Sequence, residues 1–100
     1  MRYNHCMIRV DRLVWDEGNV AHITRHEVTQ EEVEQVCHNN PAQLTGHSGR
    51  IMLIGLTNSG RSISVVLEPE SGKETWYPVT ERSADKKERR FYDSQKGVVL

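Results

Sequence analysis

The sequence predicts an α+β domain in which two N-terminal helices pack on an antiparallel sheet of three to four strands, with a further helix near the C-terminal end. Apolar residues recur at helical spacing between residues 17 and 38, and strand-like apolar runs separated by turn signals follow between residues 51 and 80. One hundred residues support one hydrophobic core, so we expect a single domain over residues 1–100.

The composition excludes several function classes. A formal net charge of −1, with 27% charged residues, excludes a strongly basic nucleic-acid-binding chain but allows a local basic patch. No apolar run approaches the length of a membrane span, and the first residues lack a signal-peptide core. Cys6 and Cys37 are too few for a disulfide scaffold and are typical of reduced thiols. We therefore expect a cytoplasmic protein.

Both N-terminal helices have recognisable start signals. After a short strand or extended arm at residues 9–15, Asp16 is a favourable N-cap for a helix over residues 17–26. Thr29 and Glu32 form a capping box for a second helix, which Asn-Asn-Pro at residues 39–41 ends. The residues expected to face the core are Val20, Ala21 and Ile23 in the first helix and Val33, Val36 and Cys37 in the second.

The second half of the chain predicts a meander. Residues 51–56 form a buried strand, and after a turn at residues 58–60 the return strand over 61–67 directs Ile63, Val65 and Leu67 to one face. Pro78 cannot donate to a ladder, so the third strand, residues 75–80, is an edge strand or is bulged there. Ser83 is the predicted N-cap of the last helix, residues 84–92.

His22, Arg25 and His26 form the most informative polar cluster. Their spacing of three and four residues places them on one helix face, where cationic and titratable groups can bind phosphate or transfer protons. The alternative for His22 is an ordinary surface or partly buried histidine. Arg25 and His26 are equally compatible with a solvated helix end.

A metal site ranks lower. His22 and His26 have the spacing of a zinc-binding helix, but the string HITRH lacks the glutamate of HExxH, and Cys37-His38 would have to supply further ligands. A nucleophile pair of Cys37 with His38 or His26 is weaker still, because Cys37 falls on an apolar helix face. We expect no metal and no cofactor.

A longer pattern runs through residues 9–93. Its parts, in chain order, are Trp15-Asp16, Asn19, His22-Ile23, Arg25-His26, Val28-Thr29, Glu31-Glu32-Val33-Glu34, Gly60-Arg61 before a strand, Val79-Thr80, Arg82, Glu88-Arg89-Arg90 and Tyr92. In this order the pattern resembles the BrnT-like toxins of bacterial type II toxin–antitoxin systems.

The resemblance implies a RelE-like ribonuclease fold with its core over about residues 9–93. It also implies a metal-independent endoribonuclease, an mRNA interferase, that cleaves mRNA and inhibits translation. A cognate antitoxin, often a ribbon-helix-helix DNA-binding protein, would neutralise it. The implied catalytic residues are Arg25, His26, Arg61 and Arg82, and the candidate RNA-binding residues are His22, Arg50 and Tyr92.

The chemistry suits these residue types. Metal-free RNA cleavage needs a base for the 2′-OH, positive charge for the transition state and an acid for the leaving oxygen. Arginine pairs with phosphate oxygens and histidine transfers protons near neutral pH. Because Arg61 and Arg82 begin and end strands, we expect them to converge with Arg25 and His26 at one sheet end. The alternatives are a hairpin position for Arg61 and an ion pair of Arg82 with Glu81 or Asp85.

Two residues depart from the family pattern. Glu27 stands where glycine is usual, and glycine would permit a positive φ at a helix end. Glu81 stands where a small residue is usual and would neutralise Arg82 if they paired. These departures keep open a non-catalytic relative of the toxin fold that acts as a protein- or nucleic-acid-binding module. An exposed apolar strip along residues 75–80 would indicate an antitoxin or homodimer interface.

Overall fold

A computed structural model of the chain describes residues 8–96, and it has the predicted α+β class. The elements, in chain order, are β1 (Arg12–Leu13), α1 (Glu17–Arg25), α2 (Gln30–His38), β2 (Ala42–Thr45), β3 (Ile51–Leu56), β4 (Ser62–Pro69), β5 (Thr75–Ser83) and α3 (Lys86–Gln95). None of the helices within residues 8–96 is long and apolar enough to cross a membrane.

The sheet has five strands in the order β1-β5-β4-β3-β2, one more than the upper limit of the prediction. β1 pairs parallel to β5, and every other pair is antiparallel. β2 is not predictable from the sequence, because Ala-Gln-Leu-Thr is short and has no clear alternation. β1 was expected only as a strand or an extended arm, and two residues are too few to predict which strand it pairs with.

The two faces of the sheet carry different helices. α1 and α2 cover one face, where the core joins Ile23 and Val33 to strand residues such as Leu53 and Val65. Alternation along the strands directs Ile54 and its cross-strand neighbours Ser64 and Arg82 to the other face. α3 packs on that face, with contacts to β3 and β2. We call these the α1–α2 face and the α3 face.

Pro78 causes the bulge that its chemistry predicts. Val66 pairs with Thr80 and Leu67 pairs with Pro78, so Val79 is an extra residue in β5. β5 lies between β4 and β1, but β1 pairs only with Thr75 and Trp76. The bulge is therefore confirmed, whereas the edge-strand alternative is wrong because β1 adds to the sheet beside β5.

All three helices begin with a capping box. Asp16 and Asn19 cap α1, and Thr29 and Glu32 cap α2, as predicted for these helix starts. α3 is capped by Asp85 and Glu88, so the predicted Ser83 cap is wrong. Ser83 instead pairs with Ile63 and ends β5, because strand pairing continues past the predicted end at residue 80.

The core side of α1 differs in part from the prediction. Ile23 is buried as expected and Val20 is half-buried, but Ala21 is exposed and Asn19 is buried. Asn19 Nδ2 donates to the Val14 carbonyl at 3.0 Å and to the Pro78 carbonyl at 3.5 Å, and its Oδ1 accepts from the Asp16 amide at 2.8 Å. The polar groups of this buried residue are therefore satisfied by hydrogen bonds to the residue after β1, to β5 and to the cap.

Candidate active site

Arg61, immediately before β4, joins three parts of the chain. Its Nη1 donates to the Glu27 carbonyl oxygen at 2.7 Å and to the Glu32 carboxylate oxygens at 3.1 and 3.2 Å. Its Nη2 donates to Ser83 Oγ at 3.3 Å. A guanidinium has more N–H donors than these bonds use, so within residues 8–96 Nε–H and one hydrogen of Nη2 have no partner. Arg61 can therefore meet an anionic oxygen while keeping its present contacts.

Glu32 is held by the start of α2. Its Oε1 accepts from the Thr29 amide at 3.0 Å, and Thr29 Oγ1 accepts from the Glu32 amide at 3.0 Å. The same carboxylate forms the ion pair with Arg61. The capping box therefore fixes the carboxylate that orients the Arg61 guanidinium.

The link from α1 to α2 turns at Glu27, whose φ is 58°. The Glu27 amide donates to the Thr24 carbonyl, and the Val28 amide donates to the Ile23 carbonyl, both at 3.0 Å, which is a Schellman motif. This conformation is the one for which the resembled family uses glycine. The Glu27 backbone carbonyl, and not its exposed carboxylate, is the group that binds Arg61.

The predicted His–Arg cluster lies at the end of α1, directly before this turn. The rings of His22 and His26 have centroids 4.8 Å apart and are tilted by 53°. His22 Nε2 is buried and has no hydrogen-bond partner within the described part of the chain. His26 and Arg25 are exposed. We call Arg25, His26, Glu27, Glu32 and Arg61 the Arg61 corner.

Arg82 forms an ion pair, which was the alternative to a catalytic role, but with a different partner. Its Nη1 and Nη2 donate to the two carboxylate oxygens of Glu88 at 2.8 and 2.6 Å, so neither Glu81 nor Asp85 is the partner. Glu88 Oε1 also accepts from the Asp85 amide at 2.9 Å. Burial acts to raise the pKa of Glu88, but hydrogen bonds from Arg82 and from the Asp85 amide outweigh it, so the pKa lies below its usual value.

Arg61 and Arg82 lie at the same end of the sheet on opposite faces. Arg61 binds Ser83, which shares the α1–α2 face with Glu81, whereas alternation places Arg82 on the α3 face. The structure thus brings Arg61 to the turn after His26 but does not bring Arg82 to the same place. The catalytic role of Arg82 stays a prediction.

Arg50 and Tyr92 are outside the Arg61 corner. Arg50 precedes β3 and therefore lies at the opposite end of the sheet, about 20 Å along the strands from Arg61. It forms an ion pair with Glu68 at 2.7 Å, with both side chains nearly half exposed. Tyr92 is half-buried in α3, with Lys96 Nζ 5.7 Å from its ring centroid. Their RNA-binding roles stay predictions.

Glu81 is a fully buried carboxyl on the α1–α2 face. It is 0% exposed, and neither carboxyl oxygen has a hydrogen-bond partner within residues 8–96. It lies across from Val65, in the apolar core. Burial raises the pKa of Glu81 to about 7, because the charged form loses its hydration.

The apolar surface that the structure exposes differs from the expected strip along residues 75–80. Leu44 and Leu56 are the large exposed hydrophobic residues of the described chain, at 40% and 36%. Leu44 lies on the α3 face with Met52 and Val66, in an open groove of about 750 Å³. Arg50 and Glu68 also line this groove. The candidate partner surface is therefore the part of the α3 face that α3 leaves open.

Cys37 is a core residue. It is buried in α2, and burial together with the nearby charges of Glu34 and Glu81 raises its pKa to about 12. A thiol of this kind is a poor nucleophile. No group of three or more potential metal-ligating side chains is placed to hold an ion within residues 8–96.

Sequence reasoning missed the roles of Glu32 and Glu88. The sequence predicts Glu32 as part of a capping box but not as the partner of Arg61, and it places Glu88 only in the family pattern. Each is the third helical residue of a capping box and also the ion-pair partner of a candidate site arginine. The D-x-x-E string at residues 85–88 was the available signal for the second pair.

The fold is that of a small ribonuclease toxin. The chain is similar to the 1.1 Å crystal structure of the Brucella abortus ribonuclease toxin BrnT, with a TM-score of 0.60 and 24% sequence identity. The match covers 75% of this chain and 97% of that chain. No protein-family model matches the chain, and no curated protein matches its sequence. The predicted BrnT-like fold is confirmed, and at this identity the likeness concerns the fold alone.

Proposed function

We propose that this protein is the toxin component of a type II toxin–antitoxin system, a metal-independent endoribonuclease that cleaves mRNA and inhibits translation. The similarity to a ribonuclease toxin supports the proposal at the level of the fold. The observation that carries it is the Arg61 corner, where a fixed arginine with unused donors binds the residue that follows His26.

The proposed roles follow from the positions of the groups. Arg61 stabilises the charge on the reacting phosphate, and exposed Arg25 adds a second cation. His26 is exposed and transfers a proton to or from the RNA. His22 extends the cluster through its ring contact with His26. Arg82 remains a candidate whose separate substitution tests whether the α3 face takes part.

A toxin of this kind requires a protein partner, and we propose a cognate antitoxin of the ribbon-helix-helix class. The groove with Leu44, Met52 and Val66, next to the outer strand β2, is the surface with the apolar character for a protein interface. A homodimer would use the same surface. We propose a cytoplasmic location, where mRNA and the antitoxin are both present.

One observation favours a second candidate function. Both strand-end arginines are paired with carboxylates, and they lie on opposite faces rather than in one positive cleft. This arrangement supports a non-catalytic relative of the toxin fold that binds protein or nucleic acid without cleaving RNA. The two candidates differ in a single observable, which is the fate of RNA.

Induced expression in bacteria, with total RNA examined in parallel, tests the proposal. We expect growth arrest with RNA loss for the wild type and relief of both in soluble Arg61→Ala. Arg82→Ala is measured beside it as the substitution on the other face. Continued toxicity of soluble Arg61→Ala would reject the site assignment. Normal growth with intact RNA and soluble wild-type protein would favour the non-catalytic module.

A further inference from the structure

Glu32 is a carboxylate at the Arg61 corner to which no role in the chemistry has been assigned. Its oxygens are fixed by the Thr29 amide at 3.0 Å and by Arg61 at 3.1 and 3.2 Å. Its side chain remains 22% exposed, so a bound RNA can reach it. Among residues 8–96, Oε2 accepts only from Arg61, and it keeps acceptor capacity because each carboxylate oxygen has room for more than one hydrogen bond.

The other buried or paired glutamates do not combine these properties. Glu88 is 12% exposed, both of its oxygens bind Arg82, and its hydrogen bonds hold its pKa below the usual value. Glu81 is enclosed in the core. Glu32 is therefore the carboxylate that is at once fixed, reachable and in contact with the arginine proposed to bind phosphate.

We infer that Glu32 is the general base of the RNA cleavage, an inference that rests on the proposed ribonuclease function. When a phosphate binds to the unused donors of Arg61, the neighbouring 2′-OH comes within reach of the Glu32 carboxylate. Arg61 thus serves both groups, since it holds the carboxylate on Nη1 and can meet the phosphate through Nε and Nη2. A carboxylate base positioned by hydrogen bonds contributes about 10²- to 10⁴-fold to such a rate.

The step balances without a metal or a co-reactant. Glu32 takes the proton from the 2′-OH, and the oxygen forms a bond to phosphorus as the bond from phosphorus to the 5′-oxygen breaks. Protonated His26 gives its proton to the leaving 5′-oxygen, whose electron pair it captures. The products are a 2′,3′-cyclic phosphate and a 5′-hydroxyl, and later proton exchange with water restores Glu32 and His26.

The groups around Glu32 come from three elements. Arg61, immediately before β4, is the direct contact. Arg25, His26 and Glu27 lie at the end of α1 and in the turn before α2, and β5 contributes the neutral Ser83 through Arg61. Arg61 is therefore the cation that holds the carboxylate in place.

The test measures steady-state cleavage of a short single-stranded RNA by the purified protein. Glu32→Gln keeps an acceptor for the Thr29 amide and for Arg61 but cannot take a proton. We expect kcat to fall about 10²- to 10⁴-fold with KM little changed. Glu31→Gln is the matched control, because it removes the other carboxylate of the first turn of α2 and leaves the Glu32–Arg61 pair in place, and it should keep the wild-type rate.

The outcomes separate this inference from the proposed function. Cleavage by Glu32→Gln at the wild-type rate overturns the inference and leaves the ribonuclease function standing. Intact RNA with wild-type protein overturns both. Glu32→Asp keeps a carboxylate and should recover part of the kcat that Glu32→Gln loses. Equal loss in Glu32→Asp and Glu32→Gln, with a lowered unfolding temperature in both, would show that Glu32 acts only in folding and would reject the inference.

Discussion

Two glutamate–arginine pairs occur at the same end of the sheet and look alike in local chemistry. Glu32 with Arg61 and Glu88 with Arg82 each join the third residue of a helix to a strand terminus, and each glutamate also completes a capping box. Their surroundings differ. The first pair connects residues 29 positions apart and includes the turn between two helices, whereas the second connects residues 6 positions apart on the other face.

The difference teaches that an ion pair at a helix start can serve two purposes. Glu88 and Arg82 use both carboxylate oxygens in short contacts, with Glu88 only 12% exposed, and these contacts join α3 to β5. Glu32 and Arg61 make longer contacts and leave the carboxylate more exposed, and Arg61 also binds the carbonyl of Glu27, the residue after His26. The same sequence signal, a glutamate three residues after the cap, is therefore structural in one place and a candidate for chemistry in the other.

Glu81 is a third glutamate for comparison, because within residues 8–96 it has no arginine partner. Since burial raises the pKa of Glu81 to about 7, the folded state holds its proton where the unfolded state, with a pKa of about 4.3, has lost it. Below about pH 4.3 the protonated group makes its full contribution to the free energy of unfolding. About 3 kcal/mol of this contribution is lost as the pH rises to about 7.

Glu81→Gln should remove this pH dependence. Denaturant unfolding of wild type and variant between pH 4 and pH 8 checks it, and the variant should gain relative stability as pH rises. Cys37, the titratable group of α2 that faces Glu81, is neutral over this range because its own pKa is raised to about 12. A difference between the two proteins that does not change with pH would show that Glu81 is charged or hydrated in the fold.

Removing either arginine should destabilise the fold, and Arg61→Ala should lower the free energy of unfolding more than Arg82→Ala. Arg61→Ala leaves the Glu27 carbonyl and the Glu32 carboxylate without their partner, and we expect a loss of about 2 kcal/mol. Arg82 is more exposed, and we expect Arg82→Ala to lose about 1 kcal/mol. Chemical denaturation of both variants at pH 7 measures the order. A larger cost for Arg82→Ala would reverse the ranking of the two pairs.

Replacing Glu27 at the turn between α1 and α2 should change the free energy of unfolding less, and in the opposite direction. Glu27→Gly relieves a left-handed conformation, and after the added entropy of the unfolded chain we expect stabilisation by about 0.5 kcal/mol. Because the carbonyl that binds Arg61 is retained, RNA cleavage should persist. Thermal unfolding of Glu27→Gly beside Glu27→Ala provides the comparison, and a less stable glycine variant would argue against strain at this position.

The smallest effect is expected at Arg50. Its pair with Glu68 is nearly half exposed on both sides, so Arg50→Ala should change the free energy of unfolding by less than about 0.5 kcal/mol. The same unfolding assay measures it, with Glu68→Ala as the companion variant. A loss above about 1 kcal/mol would mean that the groove is stabilised by this ion pair.

Much of the fold could be predicted because its signals are local. The capping residues Asp16 and Thr29, the turn at residues 58–60 and the alternation in β4 all depend on chemistry within a few residues. β2 and the Asp85 cap were missed because strand pairing across the sheet, and not local propensity, sets where these elements begin and end.

The candidate site was predictable only as a set of residue types. Sequence spacing placed His22 and His26 together on α1, and their rings are in contact. Sequence spacing could not show on which face of the sheet each arginine lies, because a one-residue shift in the predicted register moves a side chain to the other face. Arg82 shows this, since it lies one residue before the true end of β5 and on the opposite face from Ser83.

The most direct test of the account is the rate of RNA cleavage by purified Arg61→Ala and Arg82→Ala, each compared with wild type at saturating RNA. If the Arg61 corner is the catalytic centre, Arg61→Ala should fall about 10²- to 10³-fold, and Arg82→Ala should fall far less because its side chain is on the α3 face. Equal losses in both folded variants, or a larger loss in Arg82→Ala, would contradict the account and place the chemistry on the other side of the sheet.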